Sequence, residues 1–272
     1  MKAIAMPPEK GEFVLCESAS ELGRKAAAFF ADAAKAAVGR AGTFFVALSG
    51  GATPELMYRE LAGAEYRNRV PWAQGEYFWS DERCVPPEHP DSNYGLAERA
   101  LLLKVPIPRE RLHRMRGELE PERAAAEYER ELRRVFRLPE PVLPRFDLLL
   151  LGLGEDGHTA SLFPGSPALD ETARLAAANY VKKLNAQRLT LTYPAINAAC
   201  SVVFLVSGEK KAPALRQVMH GGGAPVPAAR VQPSNGKLIW FVDKAAAAQL
   251  EALSAASDPR AEIPSAARDL IP

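Results

Sequence analysis

The sequence predicts an α/β protein built on a mostly parallel, buried sheet. Two observations carry this. First, the chain contains several short, nearly pure hydrophobic runs of strand length, among them TFFVALS (43–49), FDLLLLGLG (146–154), SVVFLVSG (201–208) and KLIWFVD (237–243). Second, these runs alternate with segments of helical periodicity. Strands apolar on both faces belong to sheets covered on both sides, and the βα alternation makes such sheets parallel.

The elements follow in order. Residues 19–38 (ASELGRKAAAFFADAAKAAV) are alanine-rich with helical spacing and are expected to form a helix. TFFVALS ends at Gly50-Gly51 and reads as a strand. TPELMYRELAG (53–63) reads as a helix with Thr53 as N-cap, Pro54 at the first helical position and Gly63 at the stop. EYFWSDERCV (76–85) reads as one strand with a polar end. SNYGLAERALLLKV (92–105) and PERAAAEYERELRRVF (121–136) read as helices, and FDLLLLGLG as a second buried strand. QRLTLTYPAINAAC (187–200) reads as a strand followed by a turn or helix start at Pro194. A helix is expected from Glu209 to about Met219, then the Gly/Pro-rich loop GGGAPVPAARVQP (221–233), the strand KLIWFVD and a last helix over 245–253. The expected organisation is one α/β domain over residues 1–254 and a loosely held tail over 255–272.

Composition narrows the function classes. A formal net charge of +1 gives no reason to expect nucleic acid or an anionic membrane as partner. Cys16, Cys84 and Cys200 are odd in number and have no metal-ligand spacing, which points to reduced thiols in a cytoplasmic protein. No signal peptide is recognisable and no apolar run approaches membrane-spanning length. The histidines, at 89, 113, 158 and 220, are scattered, so no metal is expected. His89 lies in a Pro-rich loop and is expected to be merely exposed.

In parallel α/β sheets, ligands bind beyond the carboxyl ends of the strands. Three such ends stand out. SGGATP (49–54) combines two glycines with a helix N-terminus, whose unpaired amides and partial positive charge suit an anion. It lacks G-K-[ST] and is not a nucleotide P-loop. WSDERCVPPEHPDSNYG (79–95) clusters Asp81, Glu82 and Arg83 at a strand end, where Arg83 has the planar donor fork for an anion or developing oxyanion. GLGEDGHTASLFPG (152–165) contains G-x-G-x-x-G, the dinucleotide spacing. Glu155 and Asp156 would crowd a pyrophosphate, however, and Pro164-Gly165 stops any helix early. The stretch ARLAAANY near 174 does not read as a strand ending in a ribose-binding acid. The glycines instead form a turn projecting Asp156 and His158 over the sheet end, where a histidine is suited to general base work. Cys84 has no base beside it in sequence and is treated as packing. The 221–227 loop reads equally as a lid or a connector.

In order along the chain, LSGGATP, WSDERCVPPEHPDSNYGLA and FDLLLLGLGEDGHTASLFPGSP resemble the 6-phosphogluconolactonases. Weaker matches follow in RLTLTYPAINAA, FLVSGEKKA and PAARVQPSNGKLIWFVDKAA, so the resemblance spans roughly residues 10–253. It implies a three-layer α/β/α, Rossmann-like architecture with a smaller α/β portion packed beside it. It also implies hydrolysis of a phosphorylated six-membered lactone without cofactor or metal. By the DGH match, His158 is the base, with Asp156 orienting the site or the imidazole. By the DER match, Arg83 holds the carbonyl oxygen or the substrate hydroxyls, with Asp81 positioning Arg83 or the sugar. The phosphate is expected on the amides of Gly50, Gly51 and Ala52, the Ser49 hydroxyl, Arg188 and Lys211, with Lys210 an alternative to Lys211. No G-x-S-x-G elbow is present, and none is needed for such a lactone.

Two rivals remain. Glucosamine-6-phosphate isomerases share the family, but their pattern reads D-E-Y and D-G-H-I-A-F-N-E-P where this chain has D-E-R and D-G-H-T-A-S-L-F-P-G. A sugar-phosphate-binding regulatory module would carry a DNA-binding helix-turn-helix or lack the acid/base residue. Here the N-terminal segment is expected to be too short for that domain, and His158 is present. The sequence does not read the quaternary state, so a monomer or small homo-oligomer is expected.

Overall fold

Two sheets, not one, organise the chain. The computed structural model describes residues 10–221 and 223–256. Among them, the strands are β1 (Glu12–Cys16), β2 (Phe44–Leu48), β3 (Gly75–Trp79), β4 (Asp81–Arg83), β5 (Leu148–Gly152), β6 (Ala176–Val181), β7 (Ala186–Leu191), β8 (Ser201–Val206) and β9 (Lys237–Asp243). The α-helices are α1 (Ala19–Ala41), α2 (Ala52–Leu61), α3 (Ala64–Arg67), α4 (Asn93–Ala97), α5 (Pro121–Phe136), α6 (Tyr193–Asn197), α7 (Ala212–His220) and α8 (Lys244–Ala256). The large sheet has the order β1-β9-β8-β5-β2-β3 and all its pairings are parallel. The small sheet, β4-β7-β6, is antiparallel.

The hydrophobic runs explain the layering. In β5, alternate leucines point to opposite faces. Leu148 and Leu150 join the core against α1 and α2, whereas Leu149 and Leu151 join the core that α5, α7 and α8 cover. All four are at most 1 % exposed, and each such burial is worth ~1.5–3 kcal/mol. This is the three-layer α/β/α arrangement. The small sheet shares the second of these cores through Leu189 and Leu191 of β7.

Local signals account for several boundaries. Ser18 caps α1, accepting from the Glu21 amide at 3.3 Å, and Gly42 ends it at φ 75°. Glu120 caps α5 with its carboxylate, and Pro121 takes the first turn.

Three readings need correction. The expected strand over 76–85 divides at Ser80, whose amide bonds to Leu48 in the large sheet while its carbonyl accepts from Leu191 in the small one. The N-cap of α2 is Gly51, not Thr53, because Gly51 at φ 105° makes the turn and Ala52 is already helical. The helix of 92–105 is α for one short stretch, then a π-helical turn over Glu98–Leu102. The reading near 174 holds: the strand there, β6, is antiparallel and ends in Val181, not in an acid. The tail expected after residue 254 lies outside the described residues from 257 onward. No helix among the described residues is long and apolar enough to cross a membrane.

Candidate active site

The strand order reverses direction of growth between β2 and β5, and a crevice opens beyond their carboxyl ends. It is a cavity of about 540 Å³. All three strand ends singled out from the sequence open into it.

The first wall is the β2–α2 turn, Ser49 to Pro54. Ser49 is buried, its amide and carbonyl both held by the Tyr58 hydroxyl at 3.1 and 2.6 Å. No side chain caps α2, so its first-turn amides face the cavity without an intrahelical partner. Lys211 enters from the turn after β8, whereas Lys210 is not among the lining residues.

The second wall is β4. Strand alternation sends Asp81 and Arg83 into the cavity and Glu82 to the other side. Glu82 is 2 % exposed and accepts from the amides of Arg83 (2.7 Å), Asn93 (2.7 Å) and Tyr94 (2.8 Å) and from Ser92 Oγ (3.1 Å). Burial pushes its carboxyl up and these amides pull it back only in part. It is therefore an anchor for the start of α4. Asp81 accepts from Asn93 Nδ2 (3.1 Å) on one oxygen and from Ser161 Oγ (2.7 Å) on the other. Arg83 stands opposite Arg188 in the β4–β7 register. Neither guanidinium has an ion-pair partner among the described residues. Burial and then the Arg83 charge lower the proton affinity of Arg188 below its ordinary value. Two adjacent cations without a counter-ion make a receptor for an anion.

The third wall is the loop after β5. Its turn is closed by Gly154 N to His158 O (2.8 Å) and Gly157 N to Gly154 O (3.0 Å). Glycine is required twice. A Cβ on Gly154 would lie 2.0 Å from His158 Nδ1, and Gly157 has φ 77° with Val226 pressed against it. His158 stacks on Phe163 with ring centres 3.9 Å apart. Its Nδ1 lies 2.5 Å from Asp156 Oδ1, and the acceptor-only carboxylate assigns the proton to Nδ1. Nε2, left with the lone pair, has no hydrogen-bond partner among the described residues. Asp156 Oδ2 accepts from Lys183 Nζ at 3.1 Å. Partial burial works against the Asp156 charge, but His158 and Lys183 together hold its carboxyl down to about 2.

The cavity thus gathers Ser49, Gly50, Gly51, Ala52, Asp81, Arg83, Asp156, His158, Arg188 and Lys211. His89 and His113 lie elsewhere, and Cys84 is a half-buried thiol that burial pushes up to about 11. Among the lining residues that escaped the sequence reading are Asn93, Ser161 and Lys183. Asn93 and Ser161 lie inside quoted motifs and are ordinary cap and turn residues to the eye. Lys183, from the β6–β7 turn, carries no local signal. Gly157 is held from outside the loop by Ala228, whose amide donates to Gly157 O at 3.0 Å.

The family model described as glucosamine-6-phosphate isomerases/6-phosphogluconolactonase matches residues 17–240. The chain is 42 % identical to 6-phosphogluconolactonase of Nostoc sp. over 79 % of this chain and 88 % of that one. It is 41 % identical to 6-phosphogluconolactonase of Rattus norvegicus, covering 88 % and 94 %. The solved structure of 6-phosphogluconolactonase from Trypanosoma brucei superposes with a TM-score of 0.79 at 26 % identity, covering 90 % of this chain and all of that one.

Proposed function

The chain belongs to the glucosamine-6-phosphate isomerase/6-phosphogluconolactonase family, and from that premise we propose that it hydrolyses 6-phospho-D-glucono-1,5-lactone to 6-phosphogluconate, a step of the oxidative pentose phosphate pathway. The observation that carries this reading is the His158–Asp156 pair, its Nε2 open to a cavity that also holds the unpaired Arg83 and Arg188.

The chemistry follows from the side chains. The lactone's phosphate sits on the amides of Gly50, Gly51 and Ala52, beside Ser49, Arg188 and Lys211. His158 Nε2 takes a proton from water as the water oxygen bonds to the lactone carbonyl carbon. Arg83 stabilises the resulting oxyanion, and Asp81 orients the sugar and Arg83. Collapse breaks the bond to the ring oxygen, which takes its proton from the His158 imidazolium. The new carboxylic acid then ionises. One histidine serves as base and acid, a contribution of typically ~10²–10⁴-fold. Asp156 holds the productive tautomer throughout.

In the isomerases the residue at the position of Asp81 is a carbon-proton base. Here both Asp81 oxygens already accept hydrogen bonds, and Arg83 replaces the tyrosine of the isomerase pattern. These features favour the lactonase. The same reading treats residues 1–254 as one domain, acting in the cytoplasm on a small phosphorylated lactone.

The deciding experiment supplies freshly made 6-phosphogluconolactone and follows 6-phosphogluconate with a coupled dehydrogenase, for wild type and His158→Ala. The expected result is a wild-type rate above spontaneous hydrolysis that the substitution abolishes. A wild-type rate equal to the blank refutes the reaction, and an active mutant removes His158 from its centre.

A further inference from the structure

Asn93 is 2 % exposed and opens the short helix α4, yet its side chain reaches the cavity wall between two of its corners. Its Nδ2 donates to the Asp81 carbonyl at 2.9 Å and to Asp81 Oδ1 at 3.1 Å. These bonds fix the amide's orientation, because a flipped amide would set oxygen against oxygen. Asn93 Oδ1 is thereby turned to the SGG turn, where it is buried without a hydrogen-bond partner. A methyl group on Gly50 would lie only 1.7 Å from it. The oxygen is seated on the Gly50 α-carbon, a contact of the weak C–H···O kind. A buried amide oxygen with no N–H or O–H partner is uncommon in a native fold and calls for a reason.

The surrounding segment is gripped by three consecutive residues of β4. Asn93 holds Asp81. Glu82 takes the amides of Asn93 and Tyr94 and the Ser92 hydroxyl. Arg83 donates to the Asp91 carbonyl at 2.5 Å. Asn93 is the side chain that bridges from this assembly to the β2–α2 turn.

We propose that Asn93 is a positioning residue that sets the spacing between the Gly50–Gly51 turn and the Asp81–Arg83 strand. On the lactonase reading, on which its part in turnover rests, this is the spacing between the phosphate end and the reacting end of the substrate. Asn93 lines the cavity, but neither of its polar atoms is offered to a ligand: Oδ1 is covered by Gly50 and Nδ2 is held by Asp81. A misplacement of about 1 Å between two such anchor points costs up to ~10²-fold in rate.

Two readouts test this. The first is a thermal cycle of Gly50→Ala, Asn93→Ala and the double variant. Gly50 is not among the positive-φ glycines, so alanine suits the backbone and the clash with Oδ1 is the cost. Gly50→Ala is expected to lower Tm by at least about 4 °C, and the double variant to lose clearly less than the sum of the singles. Additive losses overturn the contact.

The second readout is the pH dependence of kcat/KM. Asn93→Ala is expected to fall on the order of 10–100-fold, by a factor constant with pH. Asn93→Asp keeps the shape but sets a carboxyl against Asp81, and two carboxyls that close resist ionising together, so one proton is held to higher pH than usual. A shared proton restores the donor at low pH. The charged and titratable groups facing the pair are Glu82 and Arg83 of β4, Arg188 of β7 and Tyr58 of α2. Activity of Asn93→Asp relative to wild type is expected to fall by about tenfold as pH rises from roughly 6 to 8. An Asn93→Asp enzyme equal to wild type at every pH overturns the positioning role. A wild type without lactonase activity fails the function instead, and the thermal cycle then still decides the contact.

Discussion

Exchanging Asp156 for asparagine preserves the side chain's shape and removes its charge. In the wild type the Asp156 carboxyl lies at about 2 instead of 3.8, because the bonds from His158 and Lys183 outweigh partial burial. At ~1.36 kcal/mol per pKa unit, that difference is roughly 2 kcal/mol, and solvent screening of a partly exposed group reduces it to about 1 kcal/mol. Only the His158 share of this attraction, without the part owed to Lys183, acts on the imidazolium formed as the ring takes the water proton, so its loss alone costs at most about fivefold. The tautomer matters more. A carboxylate can only accept, so Nδ1 keeps its hydrogen and Nε2 its lone pair. An amide can donate to Nδ1, which moves the imidazole hydrogen to Nε2, where it faces the water uselessly. Such an exchange behind a catalytic histidine costs up to ~10⁴-fold. Asp156→Asn is therefore expected to lower kcat by ~10²–10⁴-fold with KM within about threefold. The coupled dehydrogenase assay, corrected for spontaneous lactone hydrolysis, measures both. A kcat within about threefold of wild type would refute the assignment of the tautomer to Asp156.

Gly154→Ala would place a methyl group 2.0 Å from His158 Nδ1, so the ring must turn away. Its kcat should drop on the order of 10²-fold, with near-wild-type KM, in the same assay. Arg188→Ala removes one of the two unpaired guanidiniums and is expected to raise KM by about tenfold or more while kcat changes little, the mark of lost ground-state binding. A change confined to kcat would move Arg188 from the phosphate to the reacting end. Acid stability should follow, among the lowered carboxyls, the two held down to about 2, Asp156 with His158 and Glu118 with Arg114. Their stabilisation is present above about pH 4 and is lost as pH falls toward 2, because the unfolded chain binds those protons first. Thermal melts of wild type and Asp156→Asn/Glu118→Gln should converge in that window. Parallel curves would contradict the assignment.

Much of the molecule was legible in one dimension because its signals are local. The apolar runs of β2, β5, β8 and β9 are buried on both faces and needed no partner to be recognised, and Pro121 marks the start of α5. The glycines of the β5 loop already spoke for a tight turn, and the family motifs that contain Asp81, Arg83, Asp156 and His158 are contiguous. Only the tertiary structure could decide the rest, since it depends on pairings between distant segments. AAANYV becomes β6 because β7 lies beside it, although alanine alone favours helix. The strand from 76 to 85 breaks at Ser80 because two different sheets claim its two ends. Lys183 reaches Asp156 from 27 residues away, and Glu82 turns out to be an anchor because strand alternation points it away from the cavity. A sequence records which side chains are available at each strand end. Packing distances of a few ångströms, set by elements far apart in the chain, determine which of them meet.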